Sequence, residues 1–304
     1  MISKQPRFLF LRGGAIGDFI LTLPALSALR DRWPDAHIEV VGYPHIARLA
    51  QAGGLADAVR SLDEAGMARF FSHRPAFPQE QIQYIRSFDI VFSYLHDRDG
   101  IVQNNLKLAG AKLVIYGSPL VESGHAVDHL LRPLESLAIF EADVIPRLVL
   151  GDDHRKGGRE ILRAMGITGP VAALHSGSGS RRKNWPADRF VALAERIKCE
   201  GRYQPLFIVG EADQPPAGEM PVLSGCELSE VAGVLSECAV YVGNDSGITH
   251  LAAALGLPVV ALYGPSDADR WGARGERVTH LRSPDGDLNN LETAQVFEAV
   301  GDIR

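Results

Sequence analysis

The chain has 304 residues, enough for about two ordinary domains, and its 46% hydrophobic content is sufficient to build real cores. A formal net charge of -6 argues against a general nucleic-acid binder, which usually carries a basic surplus. The three cysteines form no CxxC pair and offer neither a disulfide framework nor a zinc site, which is typical of a reducing compartment.

The first half of the chain alternates strand and helix patterns. Strands are predicted at 7–12, 37–42, 58–63, 88–95 and 112–117, and helices at 19–33, near 44–53 and at 125–139. Segment 64–87 has no clear period and is rich in Phe, Arg and Pro, so we interpret it as a variable insertion. The polar stretch GDDHRKGGRE, at 151–160, is predicted to be the exit from a first domain.

The second half restarts the alternation. Strands are predicted at 171–175, 204–210, 239–245, 258–264 and 278–282, and helices at 186–201, 228–238, 247–256 and 291–303. Residues 246–266 contain no Asp, Glu, Lys or Arg, and this length could span a bilayer. The glycines and prolines within it instead predict a buried helix followed by a buried parallel strand. Two successive β/α runs predict two doubly wound domains with a cleft between them.

The motif HSGSGSRRKNWP, at 175–186, predicts an anion site. A Gly/Ser loop that leaves a strand can direct several backbone N–H groups at one anion. Lys183 would add a point charge. Hydrogen bonds to a charged group contribute about 1.5–3 kcal/mol each, which favours a diphosphate over a lone carboxylate. The alternative is a solvated basic turn, and GxxxxGK[ST] is absent, so this is not a P-loop.

A second motif, VGNDSGITHLAAALG, spans 242–256. Asp245 and Ser246 are good N-cap residues for the predicted helix, and Gly247 permits close approach of a ligand. His250 lies on the same helix face as Ser246. The alternative is simple capping together with a core histidine. The position at the carboxyl end of a strand, where open α/β sheets bind ligands, favours a binding site.

A third motif, LRGGAIGDFILTLPAL, spans 11–26 and again combines a strand, a glycine turn and a helix start. It does not fit GxGxxG, and the next strand does not end in an acid, which argues against a nicotinamide site. Asp18 stands at the start of the helix. It is either a carboxylate that pairs with the helix dipole or a general base, and its position in the sequence does not choose between the two.

Together these motifs resemble glycosyltransferase family 9, the bacterial lipopolysaccharide heptosyltransferases. The resemblance covers residues 7 to 272 in the family's order, with Ser176 in place of the usual Pro, a short proline-bearing segment after Glu211, and Ala273 in place of a Pro. The matching residues are Arg12, Gly17, Asp18 and Pro24, then Ser176, Gly177, Ser178, Lys183, Trp185 and Pro186, then Gly243 to Pro258, and finally Gly264, Pro265, Ser266, Asp267 and Trp271.

The resemblance implies a GT-B fold, which is α/β with two Rossmann-like doubly wound domains and an interdomain cleft. We expect an acceptor-side domain at 1–155 and a nucleotide-sugar donor domain at 156–304, with the terminal helix a candidate to pack back on the first domain. The implied enzyme is an inverting, metal-independent glycosyltransferase. It moves a heptose-like sugar from an ADP-sugar to a lipopolysaccharide core or related glycan.

The resemblance also assigns roles to residues. Asp18 is the expected base, and Lys183 is expected to hold the diphosphate. The donor-binding residues are Ser176, Gly177, Ser178, Lys183, Glu211, Asp245, Ser246, Gly247 and His250, with Glu211 near the ribose or adenine. The acceptor-side loop comprises Arg12, Gly13, Gly14 and Gly17. No cofactor, metal or nucleic acid is expected, since the ADP-sugar is a substrate.

The expected location is the cytoplasm, with peripheral association at the inner membrane left open. Three alternatives remain. One is a nucleotide-sugar-binding, non-catalytic partner in surface polysaccharide synthesis, and another is a transferase that uses a different NDP-sugar. The third is a two-domain oxidoreductase, against which the missing GxGxxG motif argues.

Overall fold

A computed structural model of the chain describes residues 5–211, 213–215 and 217–302. The chain divides into two compact units, Met1–Val144 and Ile145–Arg304. The division lies upstream of 155/156, because the polar stretch that suggested a domain exit is the start of a helix, Asp152–Ala164. This helix buries Leu162 and keeps most of its charged residues exposed, so its polarity marks an exposed helix face and not a linker.

The N-terminal unit is built on a five-stranded parallel sheet in the order β3-β2-β1-β4-β5. Its strands are β1 (Arg7–Leu11), β2 (His37–Gly42), β3 (Ala58–Ser61), β4 (Ile90–Ser93) and β5 (Val114–Tyr116). Its helices are α1 (Ile16–Ile20), α2 (Leu23–Arg32), α3 (Pro44–Ala52), α4 (Ala65–Ala68), α5 (Gln79–Arg86), α6 (Ile101–Leu108) and α7 (Ala126–Leu131). The strand order reverses between β1 and β4, since β2 and β3 lie on one side of β1 while β4 and β5 lie on the other, and such a switch point is where open α/β sheets bind ligands.

The predicted helix at 19–33 is two helices. The break falls at Leu21 and Thr22, and Pro24 occupies the first turn of α2, where its missing N–H costs nothing. In the same way, the predicted helix at 125–139 is α7 followed by a 3₁₀ turn, Arg132–Leu137, which begins next to Pro133.

Segment 64–87 is not the irregular insertion that its composition suggested. It contains α4, a 3₁₀ turn at Arg69–Phe71, and α5. Met67, Phe70 and Ile85 are buried in the same core cluster as Val91 of β4. The segment therefore covers one face of the sheet, and a parallel sheet needs such cover on both faces.

The C-terminal unit is built on a six-stranded parallel sheet in the order β11-β10-β9-β6-β7-β8. Its strands are β6 (Val171–His175), β7 (Gln204–Ile208), β8 (Val222–Leu223), β9 (Val240–Asn244), β10 (Val259–Tyr263) and β11 (Val278–Arg282). Its helices are α8 (Asp152–Ala164), α9 (Ala187–Glu200), α10 (Leu228–Leu235), α11 (Gly247–Ala254), α12 (Ala268–Trp271) and α13 (Thr293–Asp302). Two sheets of this kind confirm the prediction of two Rossmann-like α/β domains.

The terminal helix α13 packs within the C-terminal unit. Val296 and Val300 are buried in the same cluster as Phe190 and Ile197 of α9. The guanidinium of Arg196, also on α9, lies 4.0 Å from the centre of the Phe297 ring. The i, i+4 apolar pair of this helix therefore completes the core of its own unit, and the expectation that the helix packs back on the first domain stays a prediction.

The uncharged stretch at 246–266 forms α11 and β10, as predicted, and both elements are buried. Within the part of the chain that the structure describes, none of the helices has the length and apolar character required to cross a bilayer.

Helices α8 and α10 cross at a pair of glycines, which allows a matched test of packing. A Cβ built on Gly158 would overlap the carbonyl of Gly233, whereas a Cβ on neighbouring Gly157 meets no described atom within 4 Å. Gly158→Ala should therefore lower the free energy of unfolding by about 1–3 kcal/mol. Gly157→Ala should raise it by about 0.5–1 kcal/mol, because alanine loses less backbone entropy in a helix. Urea denaturation of the two variants measures this difference, and equal effects would contradict the close crossing.

Candidate functional site

In the N-terminal unit, the first charged residue of the helix that follows β1 is Asp18. Asp18 lies in α1, and its Oδ2 accepts a hydrogen bond of 2.9 Å from the N–H of Ala15, at the start of that helix. The side chain is 39% exposed. Gly14 has a left-handed backbone with φ of +99°, and a Cβ there would lie 2.8 Å from Asp18 Oδ2. The carboxylate thus caps α1 and still faces solvent.

The buried side chain of Arg12 fixes the segment between β1 and α2 by hydrogen bonds. Its guanidinium is buried, donates to Thr22 Oγ1 at 2.9 Å and to the carbonyl of Asp18 at 2.9 Å, and lies 4.0 Å from the Asp18 carboxylate. Burial lowers the pKa of Arg12, and the nearby Asp18 opposes that shift. Gly13 and Gly17 are half-buried beside it. Of the predicted acceptor-side loop, Arg12 is therefore turned inward, and Asp18 is the charged group that the loop displays.

In the C-terminal unit, residues Ser176–Ser178 form a short loop after β6, which we call the donor loop after the role that the family resemblance predicts for it. The carbonyl of Ser176 accepts a 2.8 Å hydrogen bond from Asn244 Nδ2, and Asn244 Oδ1 accepts one of 2.9 Å from the N–H of Trp185. Ser178 Oγ lies 2.5 Å from Asn184 Oδ1. Asn244, at the end of β9, therefore fixes both sides of the basic turn at Arg181–Lys183.

Lys183 and Asp245 form an ion pair at the same edge of the sheet. The two side chains approach to 2.7 Å, and Asp245 is 7% exposed while Lys183 is 39% exposed. A buried carboxylate requires a charged or hydrogen-bonding partner, and here the lysine supplies it. Asp245 follows β9, so the pair links the turn after β6 to the end of the neighbouring strand. The exposed part of Lys183 remains accessible to an anion from solvent.

The start of α11 is fixed by a buried hydroxyl network. Ser246 caps the helix by accepting a 3.3 Å hydrogen bond from the N–H of Thr249. Thr249 Oγ1 donates to the carbonyl of Asn244 at 2.5 Å and lies 3.0 Å from the hydroxyl of Tyr241. His250 is buried in the first turns of this helix. The predicted capping by Ser246 is confirmed, and Gly247 is the first helical residue.

Beyond β7, two acids that lie two positions apart in the sequence have different surroundings in the structure. Glu211 is exposed in a turn. Asp213 is 15% exposed; its Oδ2 accepts a 2.9 Å hydrogen bond from the N–H of Gly210 and lies 3.8 Å from His175 Nδ1. Ala212 and Pro216, within the segment singled out as short for the family, lie outside the described residues.

His175 ends β6 as a buried, neutral side chain. Its Nδ1 lies 2.9 Å from the carbonyl of Ile208, and burial lowers its pKa although that contact and Asp213 both oppose the shift. It therefore joins the ends of β6 and β7 below the donor loop.

The structure brings several of the predicted donor-side residues to one edge of the sheet, together with Asn244 and Asp213, which the sequence analysis did not single out. Lys183, Asp245, Ser246 and the donor loop follow the neighbouring strands β6 and β9. Asn244 belongs to the GND motif already singled out, and Asp213 stands three residues after Gly210, a spacing at which a side chain can return to a backbone N–H. In residues 5–211, 213–215 and 217–302, no group of three or more His, Cys, Asp or Glu is placed to hold a metal ion.

Comparison with known proteins agrees with this arrangement. Residues 147–300 match the model of glycosyltransferase family 9 (heptosyltransferase). Lipopolysaccharide heptosyltransferase 3 of Escherichia coli K12 is 22% identical over 284 residues, which cover 84% of this chain and 81% of that protein.

Solved structures extend the likeness to the whole chain. A glycosyl transferase family 9 structure from Veillonella parvula superposes with a TM-score of 0.80 at 22% identity, covering 98% of both chains. The structure of E. coli ADP-heptose lps heptosyltransferase II superposes with a TM-score of 0.77 at 17% identity, covering 97% of both chains. With the two parallel sheets, this likeness confirms the predicted GT-B fold.

Proposed function

This chain belongs to glycosyltransferase family 9 and is a heptosyltransferase-type glycosyltransferase, and we propose that it transfers a heptose-like sugar from an ADP-linked donor to a lipopolysaccharide core or related glycan. The names of its relatives support this choice of donor and acceptor class. The observation that carries the proposal is the convergence of Lys183, the donor loop and the start of α11 on the adjacent strands β6 and β9.

The donor side supplies positive charge for the leaving group. When the bond between the anomeric carbon and the diphosphate oxygen breaks, negative charge develops on the diphosphate, and a preorganised cationic site stabilises it. Lys183 is already held by Asp245, so its ammonium loses little freedom when the donor binds. Backbone N–H groups of the donor loop and of Gly247 complete the site. In this proposal neither a metal ion nor a cofactor takes part.

The acceptor side supplies the base. The carboxylate of Asp18 takes the proton of the acceptor hydroxyl while that oxygen forms a bond to the anomeric carbon from the face opposite the diphosphate, so the configuration inverts. The hydroxyl must come within roughly 3 Å of the carboxylate. Asp18 Oδ1 is not the oxygen that caps α1, and the side chain is exposed, so one oxygen is available for this step.

The acceptor class also determines where the enzyme would work. A lipopolysaccharide core under construction is carried at the cytoplasmic face of the inner membrane, so we propose a cytoplasmic enzyme that reaches this surface as a peripheral protein. Binding to vesicles that carry the acceptor, compared with vesicles of the same lipids without it, measures this part of the proposal.

A nucleotide screen followed by a transfer assay tests the function. ADP should raise the melting temperature, because a ligand at 100 times its Kd stabilises the native state by about 2.7 kcal/mol. UDP and GDP should have much smaller effects, and ADP-heptose with a core acceptor should yield ADP and a glycosylated product. A larger shift with UDP or GDP would indicate a different NDP-sugar transferase. Donor binding without turnover would indicate a non-catalytic binding partner.

A further inference from the structure

The donor loop is contacted by side chains from both sides, one at the end of β9 and one in the segment after β7. In the sheet β6 lies between β9 and β7, so the chain that leaves β6 runs between the ends of both neighbours. From β9, Asn244 Nδ2 holds the carbonyl of Ser176 at 2.8 Å. From the segment after β7, the carboxylate of Asp213 reaches the next residue of the loop, Gly177.

The contact between Asp213 and Gly177 explains why this position is a glycine. A Cβ built on Gly177 would overlap both carboxylate oxygens of Asp213. The backbone of Gly177 is not left-handed, so the φ angle does not disfavour a side chain here, but a Cβ would require the Asp213 carboxylate to shift. Asp213 is itself fixed, because its Oδ2 accepts the 2.9 Å hydrogen bond from the N–H of Gly210.

The geometry points to Asp213 as a positioning residue, whose carboxylate packs on Gly177 and fixes the donor loop in the conformation that binds the donor diphosphate. This inference rests on the proposed function of the loop. Asp213 does not need to touch the donor, and its negative charge would repel a phosphate, so it acts through the backbone of the loop. Because Asp213 is hydrogen-bonded to Gly210, just after β7, it holds the backbone of the donor loop in a fixed position relative to β7.

A double-mutant cycle on ADP affinity, measured by calorimetry, tests the contact. Gly177→Ala should weaken ADP binding at least about tenfold, because the new methyl group and the carboxylate cannot occupy the same space. Asp213→Ala should weaken it several-fold, because the loop loses one of its two braces. In the Asp213→Ala background, Gly177→Ala should cost less than about twofold, because the space is then vacant. Gly179→Ala is the matched control, since a Cβ there meets no described atom within 4 Å and should leave Kd unchanged.

Additive effects of the two substitutions would overturn the inference. So would an ADP affinity of Asp213→Ala equal to that of the wild type, and this variant decides the matter if Gly177→Ala does not fold. Failure of the proposed function itself is recognised separately, in the wild-type protein. If the wild type binds no nucleoside diphosphate, the donor assignment is wrong and the inference falls with it.

Discussion

Asp18→Asn is expected to lower kcat by about 10²–10⁴-fold, the usual contribution of general-base catalysis, while the Kd for ADP stays unchanged. The amide has the shape of the carboxylate but is not basic enough to take the proton from the hydroxyl of the acceptor substrate. Its oxygen can still accept the 2.9 Å hydrogen bond from the N–H of Ala15, so the cap on α1 is retained. Steady-state transfer assays and ADP calorimetry on the same preparation measure both quantities.

The companion variant Asp18→Ala separates the catalytic role of this residue from its structural one. Removal of the whole side chain eliminates both the base and the cap, and loss of a cap costs about 0.5–2 kcal/mol of stability. If Asp18 serves α1 alone, Asp18→Asn should transfer sugar at the wild-type rate and only Asp18→Ala should be impaired. Retention of more than a tenth of wild-type turnover by Asp18→Asn would therefore remove the base assignment.

The parts of the fold that could be predicted from the sequence are those in which local pattern and tertiary role coincide. The run from Phe8 to Leu11 is apolar throughout and too short for an ordinary helix, which is typical of a strand covered on both faces, and the prediction of β1 is confirmed. The prolines at 24 and 133 interrupt helical patterns that otherwise look continuous, and each predicted helix is divided near its proline. Such boundaries depend on hydrogen bonds that a hydrophobic pattern does not encode.

Segment 64–87 shows the opposite case. Its core contacts come from Met67, Phe70 and Ile85, which lie on three short elements and share no single period. Short helices are held by tertiary packing more than by their own propensity, so the sequence alone carries little signal for them. The composition of this segment suggested an insertion, whereas its packing shows that it belongs to the hydrophobic core of the N-terminal unit.

In the candidate site, too, some features could be predicted from the sequence and others could not. The residues of the GNDSG and KNWP motifs could be grouped because each follows a strand of a parallel sheet, and such ends meet at one edge. The contacts that position these residues could not be predicted from the sequence. Asn244 joins Ser176 across 68 residues, and Lys183 joins Asp245 across 62. Those contacts depend on β6 and β9 being neighbours, which is a property of strand order and not of spacing.

The second large expected effect is on ADP affinity, when the Lys183–Asp245 ion pair is disrupted. Lys183→Ala should raise the Kd for ADP by about 10–150-fold, since hydrogen bonds to a charged group contribute about 1.5–3 kcal/mol. The adjacent Arg182→Ala is the matched control, because Arg182 is an exposed cation in the same turn and its removal should change Kd by less than about threefold. Calorimetry with ADP measures all three proteins, and equal losses in the two variants would show that only the general basic charge of the turn matters.

A second substitution distinguishes binding by the lysine from support of the fold. Lys183→Ala leaves the buried Asp245 without its cation, which should lower the free energy of unfolding by about 1–3 kcal/mol. Adding Asp245→Asn removes the unpaired charge, so the double variant should recover much of that stability. It should not recover ADP affinity, because the ammonium that meets the diphosphate is still missing. Recovery of both quantities together would mean that Lys183 orders the site without contacting the donor.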